Sequence, residues 1–172
     1  MTTEADPLDI VLVGPMGAGK TSVGRRVARR LGVPFTDTDK RIVAAHGPIP
    51  AIFAEHGEER FREWERDVVA AALADGGVVS LGGGAVTDAG TRGLLRDHPV
   101  VFLTVSAEAV ADRIRGTNRP LLADDDPVAR WKSIFDARRP WYEEVATATF
   151  DTSRRPMQRI ADDIATWRRT LA

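Results

Sequence analysis

The 172-residue sequence contains no cysteine, which excludes disulfide bonds and the thiolate ligands of zinc or iron–sulfur sites. Its formal net charge is only −1, so it lacks the basic excess that favours nucleic-acid binding. No run approaches the roughly 18 apolar residues of a membrane span, and residues 1–9 lack the layout of a signal peptide. We therefore expect one cytoplasmic domain over residues 1–172, with no nucleic-acid or membrane partner. A monomer is the default expectation, because the sequence does not give the oligomeric state.

Lysine is also scarce, because only three of the 24 basic residues are lysines. Most of the arginines fit a solvated surface. Three of them lie beside or near a proline and are candidates for a site: Arg119, Arg138 and Arg155.

Residues 14–21 carry the pattern G-x-x-x-x-G-K-T, between an apolar run at residues 10–13 and an amphipathic helical pattern. This context is typical of a phosphate-binding P-loop. Its glycines let successive backbone N–H groups converge on a phosphate, and the following helix adds partial positive charge at its N-terminus. Lys20 can then reach the outer phosphates, and the Thr21 hydroxyl can bind Mg²⁺. The pattern predicts nucleoside-triphosphate binding.

Short apolar runs alternate with helical patterns along the chain, which predicts an α/β fold with a parallel sheet. Strands are predicted near residues 9–14, 34–37, 77–81, 99–105 and 147–151. Helices are predicted near residues 19–32, 39–56, 58–75, 88–97, 107–115, 127–145 and 156–171. Pro48 and Pro50 should break the second helical region, and Ser106 should cap the helix that follows it.

Two aspartates, Asp37 and Asp39, follow the second predicted strand, at the edge where open α/β sheets bind ligands. Alternation along an extended chain would direct both carboxylates to one side. One is then a candidate Mg²⁺ ligand, and the other a candidate for orienting or deprotonating a substrate hydroxyl. The competing interpretation is that Asp39 caps the next helix. The neighbouring P-loop favours the site.

Two further segments each allow a structural or a functional interpretation. Arg62 and Glu65 are three residues apart on a predicted helix, as in an ordinary surface ion pair. Alternatively, Glu65 holds the Arg62 guanidinium so that it presents a fork to an anionic substrate. Gly82, Gly83 and Gly84 form either a flexible turn or a ligand contact with bare backbone.

Residues 115–126 contain turn formers and no periodicity, which is typical of an inert surface loop or of a lid. A lid is favoured, because a P-loop kinase has to keep water away from the γ-phosphate.

Taken together, these segments resemble the shikimate kinase family over about residues 9–160. The resemblance rests on motifs that occur in family order: G-x-x-x-x-G-K-T at 14–21, D-T-D at 37–39, F-R-x-x-E at 61–65, G-G-G-A at 82–85, R-P-L-L at 119–122 and R-x-P-x-Y at 138–142. It implies a three-layer α/β/α P-loop kinase fold with a central five-stranded parallel sheet, a substrate region at about 39–75 and a lid at about 115–126.

The activity that this resemblance implies is MgATP-dependent phosphorylation of the shikimate 3-hydroxyl, a step of aromatic amino-acid biosynthesis. The implied catalytic residues are Lys20, Asp39 and Arg119, and the implied Mg²⁺ ligands are Thr21 and Asp37. The implied ATP contacts are Gly17, Ala18, Gly19, Lys20, Thr21, Ser22, Arg113, Arg119, Arg155 and Pro156. The implied shikimate contacts are Asp39, Arg62, Glu65, Gly82, Gly83, Gly84 and Arg138.

Three assignments stay open, namely Arg113 or Arg115, Arg138 or Arg139, and Arg154 or Arg155. Two rival functions also remain. A gluconate kinase-like enzyme would suit the paired arginines, and an ATP-binding regulator would need no small-molecule substrate. A GTPase is disfavoured because it needs an N-K-x-D segment, and the only asparagine is Asn118, which precedes Arg119.

Overall fold

A computed structural model describes residues 8–114, 126–154 and 156–171. Within these ranges five strands form one parallel sheet in the order β2-β3-β1-β4-β5. The strands are β1 (Ile10–Val13), β2 (Phe35–Asp37), β3 (Val78–Ser80), β4 (Val100–Thr104) and β5 (Ala148–Asp151). In register, Val11 of the central strand pairs with Val79 on one side and Val100 on the other. The predicted parallel α/β fold is confirmed.

Seven helices flank the sheet in the described part of the chain, with α1 packed on α7 and α5 on α6. They are α1 (Lys20–Leu31), α2 (Thr38–His46), α3 (Ile49–Asp75), α4 (Ala89–Leu94), α5 (Ala107–Ile114), α6 (Pro127–Val145) and α7 (Met157–Thr170). A short 3₁₀ turn, Ala85–Thr87, follows β3. None of the described helices is long and apolar enough to cross a membrane.

Local sequence signals explain where these elements end. The second helical region is interrupted, since α2 ends at His46 and α3 begins at Ile49 with Pro48 as its N-cap. Within α3 the chain turns at Gly57, which has φ 81° and ψ 168°, so a kink separates the two predicted helices. Ser106 accepts a hydrogen bond from the Ala109 N–H at 3.2 Å, which confirms the predicted cap.

The strands β1 and β3 consist of apolar residues and one serine because both lie in the core of the protein. All residues of both strands are buried, as expected where helices cover both faces of a parallel sheet. A second, smaller cluster of Ile42, Ile52 and Phe61 lies between α2 and α3. The segment after β2 therefore has a core of its own.

Gly24 allows α1 to pack closely on the sheet. A methyl group added there would lie 2.5 Å from Cε2 of Phe35 and 3.0 Å from Cδ1 of Leu12. We expect Gly24→Ala to lower the free energy of unfolding by about 1–2 kcal/mol, because overpacking outweighs the gain in helix propensity. Urea unfolding measures the change.

Gly93, in α4, is the matched control, because a methyl group there would meet nothing within 4 Å. Gly93→Ala should stabilise the protein by about 0.5–1 kcal/mol. Equal stabilisation by both substitutions would contradict the packing argument for Gly24.

Candidate active site

The candidate site lies at the carboxyl edge of the sheet. There β1 leads into the P-loop, β2 ends at Asp37, and β3 leads into Gly82–Gly84. These three strands are neighbours in the sheet, so the loops after them meet along one edge. This edge is where open α/β sheets bind their ligands.

The P-loop backbone is arranged to receive an anion. Gly14 has φ 153°, and a methyl group added there would overlap the Leu103 carbonyl oxygen. Gly19 has φ 87° and is the N-cap of α1. In the described α1, no side chain caps the N-terminus and the first turn has no acidic residue. The amide groups of that turn are thus left for a phosphate.

Side chains from distant elements fix the outer side of the same loop. Three consecutive P-loop carbonyls accept hydrogen bonds: Met16 from Trp131 Nε1 at 2.7 Å, Gly17 from Arg113 Nη1 at 2.6 Å, and Ala18 from Thr152 Oγ1 at 2.8 Å. Carbonyls held on one side let the loop's N–H groups face the other side, apart from the Ala18 N–H, which donates to the Pro15 carbonyl at 3.2 Å. Neither Thr152 nor Trp131 is among the site residues predicted from the sequence.

Lys20 and Thr21 begin α1 and place polar groups beside the loop. The Lys20 ammonium donates to the carbonyls of Gly14 at 2.7 Å and Pro15 at 3.0 Å. Thr21 donates from Oγ1 to Oδ2 of Asp37 at 3.2 Å. The Thr21 and Asp37 oxygens are hard donors of the type that Mg²⁺ prefers, so they fit the predicted metal ligands.

Within the described ranges no group of three or more histidine or acidic residues could hold a metal ion. A Mg²⁺ site with few protein ligands is usual in kinases, because ATP phosphates and water complete the coordination.

The backbone from Asp37 to Asp39 differs from the extended chain on which the expected alternation of their carboxylates depends. The strand ends at Asp37, and Asp39 already lies in the first turn of α2, so strand alternation was the wrong reason for pairing them. Asp37 is also the N-cap, since its side chain accepts from the Lys40 N–H at 3.3 Å. The competing interpretation, in which Asp39 caps the helix, is therefore wrong, because the cap lies two residues earlier, and the Asp39 carboxylate remains available.

Asp39 is in a low-dielectric position close to other charges. Burial raises the pKa of its carboxyl, and the nearby Asp37 raises it further, while Lys20 and Arg62 act in the opposite direction. A carboxylate with a raised pKa is a stronger acceptor of a substrate proton.

The triple glycine brings the predicted substrate residues together. A methyl group added at Gly82 would lie 2.6 Å from Oδ1 of Asp39. One added at Gly83 would lie 3.6 Å from Nη1 of Arg138, and one added at Gly84 would overlap the Arg62 guanidinium. Gly82 and Gly84 thus each leave room for one charged side chain, whereas Gly83 lies at ordinary contact distance from Arg138. The neighbouring Arg139 does not share this position, because its guanidinium lies over the Phe135 ring at 4.4 Å.

Arg62 and Glu65 form a largely buried pair, with Nη1 2.8 Å from Oε1 and the side chains 14% and 1% exposed. The surface-pair interpretation is therefore wrong for them. It does fit Arg60 and Glu63, which have the same spacing and are 54% and 42% exposed. Nε of Arg62 is buried and has no hydrogen-bond partner among the described residues. Such a donor is suited to an anionic ligand.

Burial raises the pKa of Glu65 from its ordinary 4.5 to about 7. The Arg62 charge and its hydrogen bond oppose this shift, whereas Asp39 and Asp88 add to it. Glu65 therefore titrates near neutrality beside the guanidinium that it holds.

Several predicted residues lie outside the described ranges: Arg119, Arg155, Arg115 and nearly all of the lid at 115–126. Pro156 is described and is the N-cap of α7. Ser22 accepts hydrogen bonds from Arg26 through its hydroxyl and its carbonyl. Adenine contacts by Arg113 and Pro156 stay a prediction.

Comparison with known proteins identifies close relatives. The family model described as shikimate kinase matches residues 16–168 of this chain. A shikimate kinase from Corynebacterium efficiens is 47% identical over 157 residues, which cover 90% of this chain and 93% of that protein.

Solved structures agree with this relationship. Shikimate kinase from Acinetobacter baumannii in complex with shikimate has a TM-score of 0.89 and 38% identity, over 98% of this chain and 96% of that chain. A gluconokinase from Sinorhizobium meliloti 1021 has a TM-score of 0.67 and 24% identity, over 96% of this chain and 94% of that chain, and shares the fold.

Proposed function

The chain belongs to the shikimate kinase family, and on this premise we propose that its cleft transfers the γ-phosphoryl group of ATP to the 3-hydroxyl of shikimate. The observation that carries the proposal is the placement of Asp39, Arg62 and Arg138 against the three glycines of one loop. Shikimate has one carboxylate and three hydroxyls. Two guanidinium groups and a carboxylate are the complementary set for such an acid.

On the donor side, the P-loop amides and Lys20 bind the phosphates of ATP. The ammonium now bonded to Gly14 and Pro15 is held at the mouth of the loop, so little reordering is needed when phosphate binds. Thr21 and Asp37 would hold Mg²⁺, which neutralises phosphate charge. Arg113 and Pro156 are the proposed adenine contacts within the described chain.

On the acceptor side, Arg62 and Arg138 bind the carboxylate of shikimate, with Glu65 fixing Arg62 from behind. Asp39 accepts a hydrogen bond from the reacting hydroxyl and takes up its proton as the oxygen attacks the γ-phosphorus. The bond between the γ-phosphorus and the bridging oxygen breaks, and ADP leaves with that oxygen. Fixing both reactants in this way supplies most of the acceleration, since phosphoryl transfer depends on positioning and charge stabilisation. Arg119 is proposed as a further phosphate ligand.

A coupled assay for ADP release tests the proposal. Purified protein should release ADP only when ATP, Mg²⁺ and shikimate are all present. Turnover on gluconate without turnover on shikimate would instead identify a gluconate kinase. Tight ATP binding without shikimate-dependent ADP release would identify an ATP-binding regulator.

We also propose that the protein acts as a monomer in the cytoplasm. The reaction proposed above calls on no group from a second copy of the chain, and the cytoplasm contains ATP. Sedimentation velocity at micromolar concentration should give a single species near the 18.7 kDa mass of one chain.

Shikimate binding should depend on pH through Glu65. The charges facing its carboxyl are those of Arg62, Asp39 and Asp88. The bound anion of shikimate raises the pKa of Glu65 further, so binding takes up protons near neutrality. Affinity should therefore fall by about 3- to 10-fold as the pH rises from about 6 to 8. Calorimetry in buffers of different ionisation enthalpy measures the uptake.

Glu65→Gln is the control, because the amide oxygen still accepts from Arg62 but does not titrate. This variant should show a flatter pH dependence and less proton uptake. An unchanged slope would assign the pH dependence to another group.

A further inference from the structure

Tyr142 is the only tyrosine in the sequence and is fully buried in α6. Its ring stacks on Phe102 of β4, with centroids 5.2 Å apart and planes 20° apart, and lies 6.1 Å from Phe135. Its hydroxyl donates a hydrogen bond to the carbonyl oxygen of Gly83. The reaction as outlined above uses neither this hydroxyl nor this carbonyl.

Among the three glycines, Gly83 is the one whose carbonyl bonds to a residue outside the local turn. The Gly82 carbonyl accepts from the Ala85 N–H at 3.1 Å, and the Gly84 carbonyl accepts from the Thr87 N–H at 3.1 Å. Both bonds belong to the local turn. Gly83 instead bonds to α6, 59 residues away along the chain. Because glycines have unusual backbone freedom, this bond restricts a segment that is otherwise easily rotated.

The Gly83 carbonyl and the Gly84 N–H belong to one planar peptide group. Fixing the direction of the carbonyl therefore fixes the direction of the N–H. The accepted hydrogen bond also polarises the peptide and makes its N–H a better donor. Gly84 directly faces the Arg62 guanidinium, and Gly83 faces Arg138. The oriented N–H thus belongs to the carboxylate-binding end of the cleft.

The phenol stays a donor over the whole working pH range. Burial raises the pKa of Tyr142 to about 12, although the charge of Arg138, a hydrogen bond from the Arg138 side chain and the charge of Arg62 act in the opposite direction. Arginine side chains carry no acceptor, so the hydroxyl proton has the Gly83 carbonyl as its partner.

We propose that Tyr142 is a positioning residue whose hydroxyl orients the Gly83–Gly84 peptide, so that the Gly84 N–H donates to the carboxylate of shikimate. This inference rests on the proposed function. Tyr142 is assigned no contact with either substrate; its hydroxyl acts through the glycine loop, and it also accepts a hydrogen bond from Arg138 at the same end of the cleft.

Tyr142→Phe tests the inference, because it keeps the ring stacking and removes only the hydroxyl. The KM for shikimate should rise about 5- to 30-fold, while the KM for ATP and kcat stay within about threefold of the wild-type values. An analogue that carries a hydroxymethyl group in place of the carboxylate should be used equally well by both proteins. If the role of Tyr142 were purely structural, the KM values for ATP, shikimate and the analogue would change alike.

Thr87→Val is the matched control. It removes a hydroxyl bond of 2.7 Å to the Gly84 carbonyl, one peptide further along the same loop, and the Thr87 N–H bond remains. Its KM for shikimate should stay within twofold of wild type. An unchanged KM for shikimate in Tyr142→Phe, or an equal rise in the KM values for ATP and shikimate, would overturn the inference. The proposed function is tested separately, by the turnover of the wild-type protein.

A second measurement needs no substitution. Since Tyr142 is the only tyrosine, biosynthetic labelling with 3-fluorotyrosine marks this site alone. Saturating shikimate should shift the single fluorine resonance, and ADP should shift it much less. A resonance that does not respond to shikimate in an active enzyme would also refute the proposed role.

Discussion

Replacing Asp39 by asparagine is expected to lower kcat by about 10²–10⁴-fold, with the fold and ATP binding preserved. The amide has nearly the size of the carboxyl, so it fits beside Gly82, where an added methyl group would lie 2.6 Å from Oδ1. It takes up no proton from the substrate hydroxyl. Steady-state kcat at saturating ATP and shikimate measures the loss, and thermal unfolding checks the fold.

The pH profile separates proton transfer from simple orientation. Asp39 has to be ionised to accept a proton, and burial raises its pKa, so kcat/KM of the wild type should fall as the solution becomes acidic. Asp39→Asn should lose that acidic limb together with its rate.

Asp75→Asn is the control, because Asp75 is an exposed partner of Arg41 at the far end of α3. This variant should keep its kcat. A kcat within threefold of wild type in Asp39→Asn would remove Asp39 from proton transfer.

Apolar periodicity, with glycine and proline at the ends of elements, was sufficient to predict the parallel α/β class and the five strands, whereas the P-loop kinase fold was implied by the family resemblance. Apolar runs such as residues 10–13 are recognisable because a doubly covered parallel strand has no exposed face. Glycine and proline then set the boundaries, as Pro48 does for α3 and Gly76, with φ 80°, does at its end. These signals are local, so one sequence carries them.

The supports of the P-loop were not predictable in this way. Trp131 and Thr152 donate to loop carbonyls that are 115 and 134 residues away along the chain. Nothing in the spacing of either residue indicates such a bond, and a buried tryptophan on a helix is typical of ordinary packing. Only the tertiary arrangement of α6 and β5 against the loop reveals it.

The acidic pair after β2 shows a different limit. Spacing suggested that Asp37 and Asp39 act together, but it did not fix which of them caps α2. The chain leaves the strand at Asp37, so the cap falls there, and Asp39 turns with the helix toward Gly82. The family resemblance predicted the residues of the site, whereas the backbone geometry supplies the reason for their arrangement.

Arg62→Ala is the second large effect that we expect. Arg62 presents a buried guanidinium, 14% exposed, beside Gly84. Its loss removes one of the two cations proposed for the shikimate carboxylate and should raise the dissociation constant for shikimate about 10²–10³-fold. ATP binding should stay nearly unchanged, because Arg62 makes no contact with the P-loop among its described bonds. Calorimetric titration of each ligand measures both constants.

The same substitution should make stability depend more strongly on pH than it does in the wild type, where the pKa of Glu65 is already raised to about 7. Without Arg62, the buried Glu65 loses the charge that lowers its pKa, so that its pKa in the folded state lies even further above the ordinary 4.5. The folded state then holds the proton more tightly than the unfolded state does, so stability is fully present below about pH 4.5 and declines as the pH rises through 7 and above. Arg62→Ala with Glu65→Gln should lose this dependence.

Arg60→Ala is the matched control for Arg62→Ala. The Arg60–Glu63 pair has the same three-residue spacing on the same helix, with Nη1 2.6 Å from Oε2, but both side chains are exposed. Exposed pairs contribute little, so this variant should keep its affinity for shikimate and most of its stability. Equal losses in the two variants would mean that helix α3 as a whole, and not the buried guanidinium at residue 62, sets the affinity for the acid. Equal weakening of ATP and shikimate binding in Arg62→Ala would likewise exclude a specific carboxylate contact.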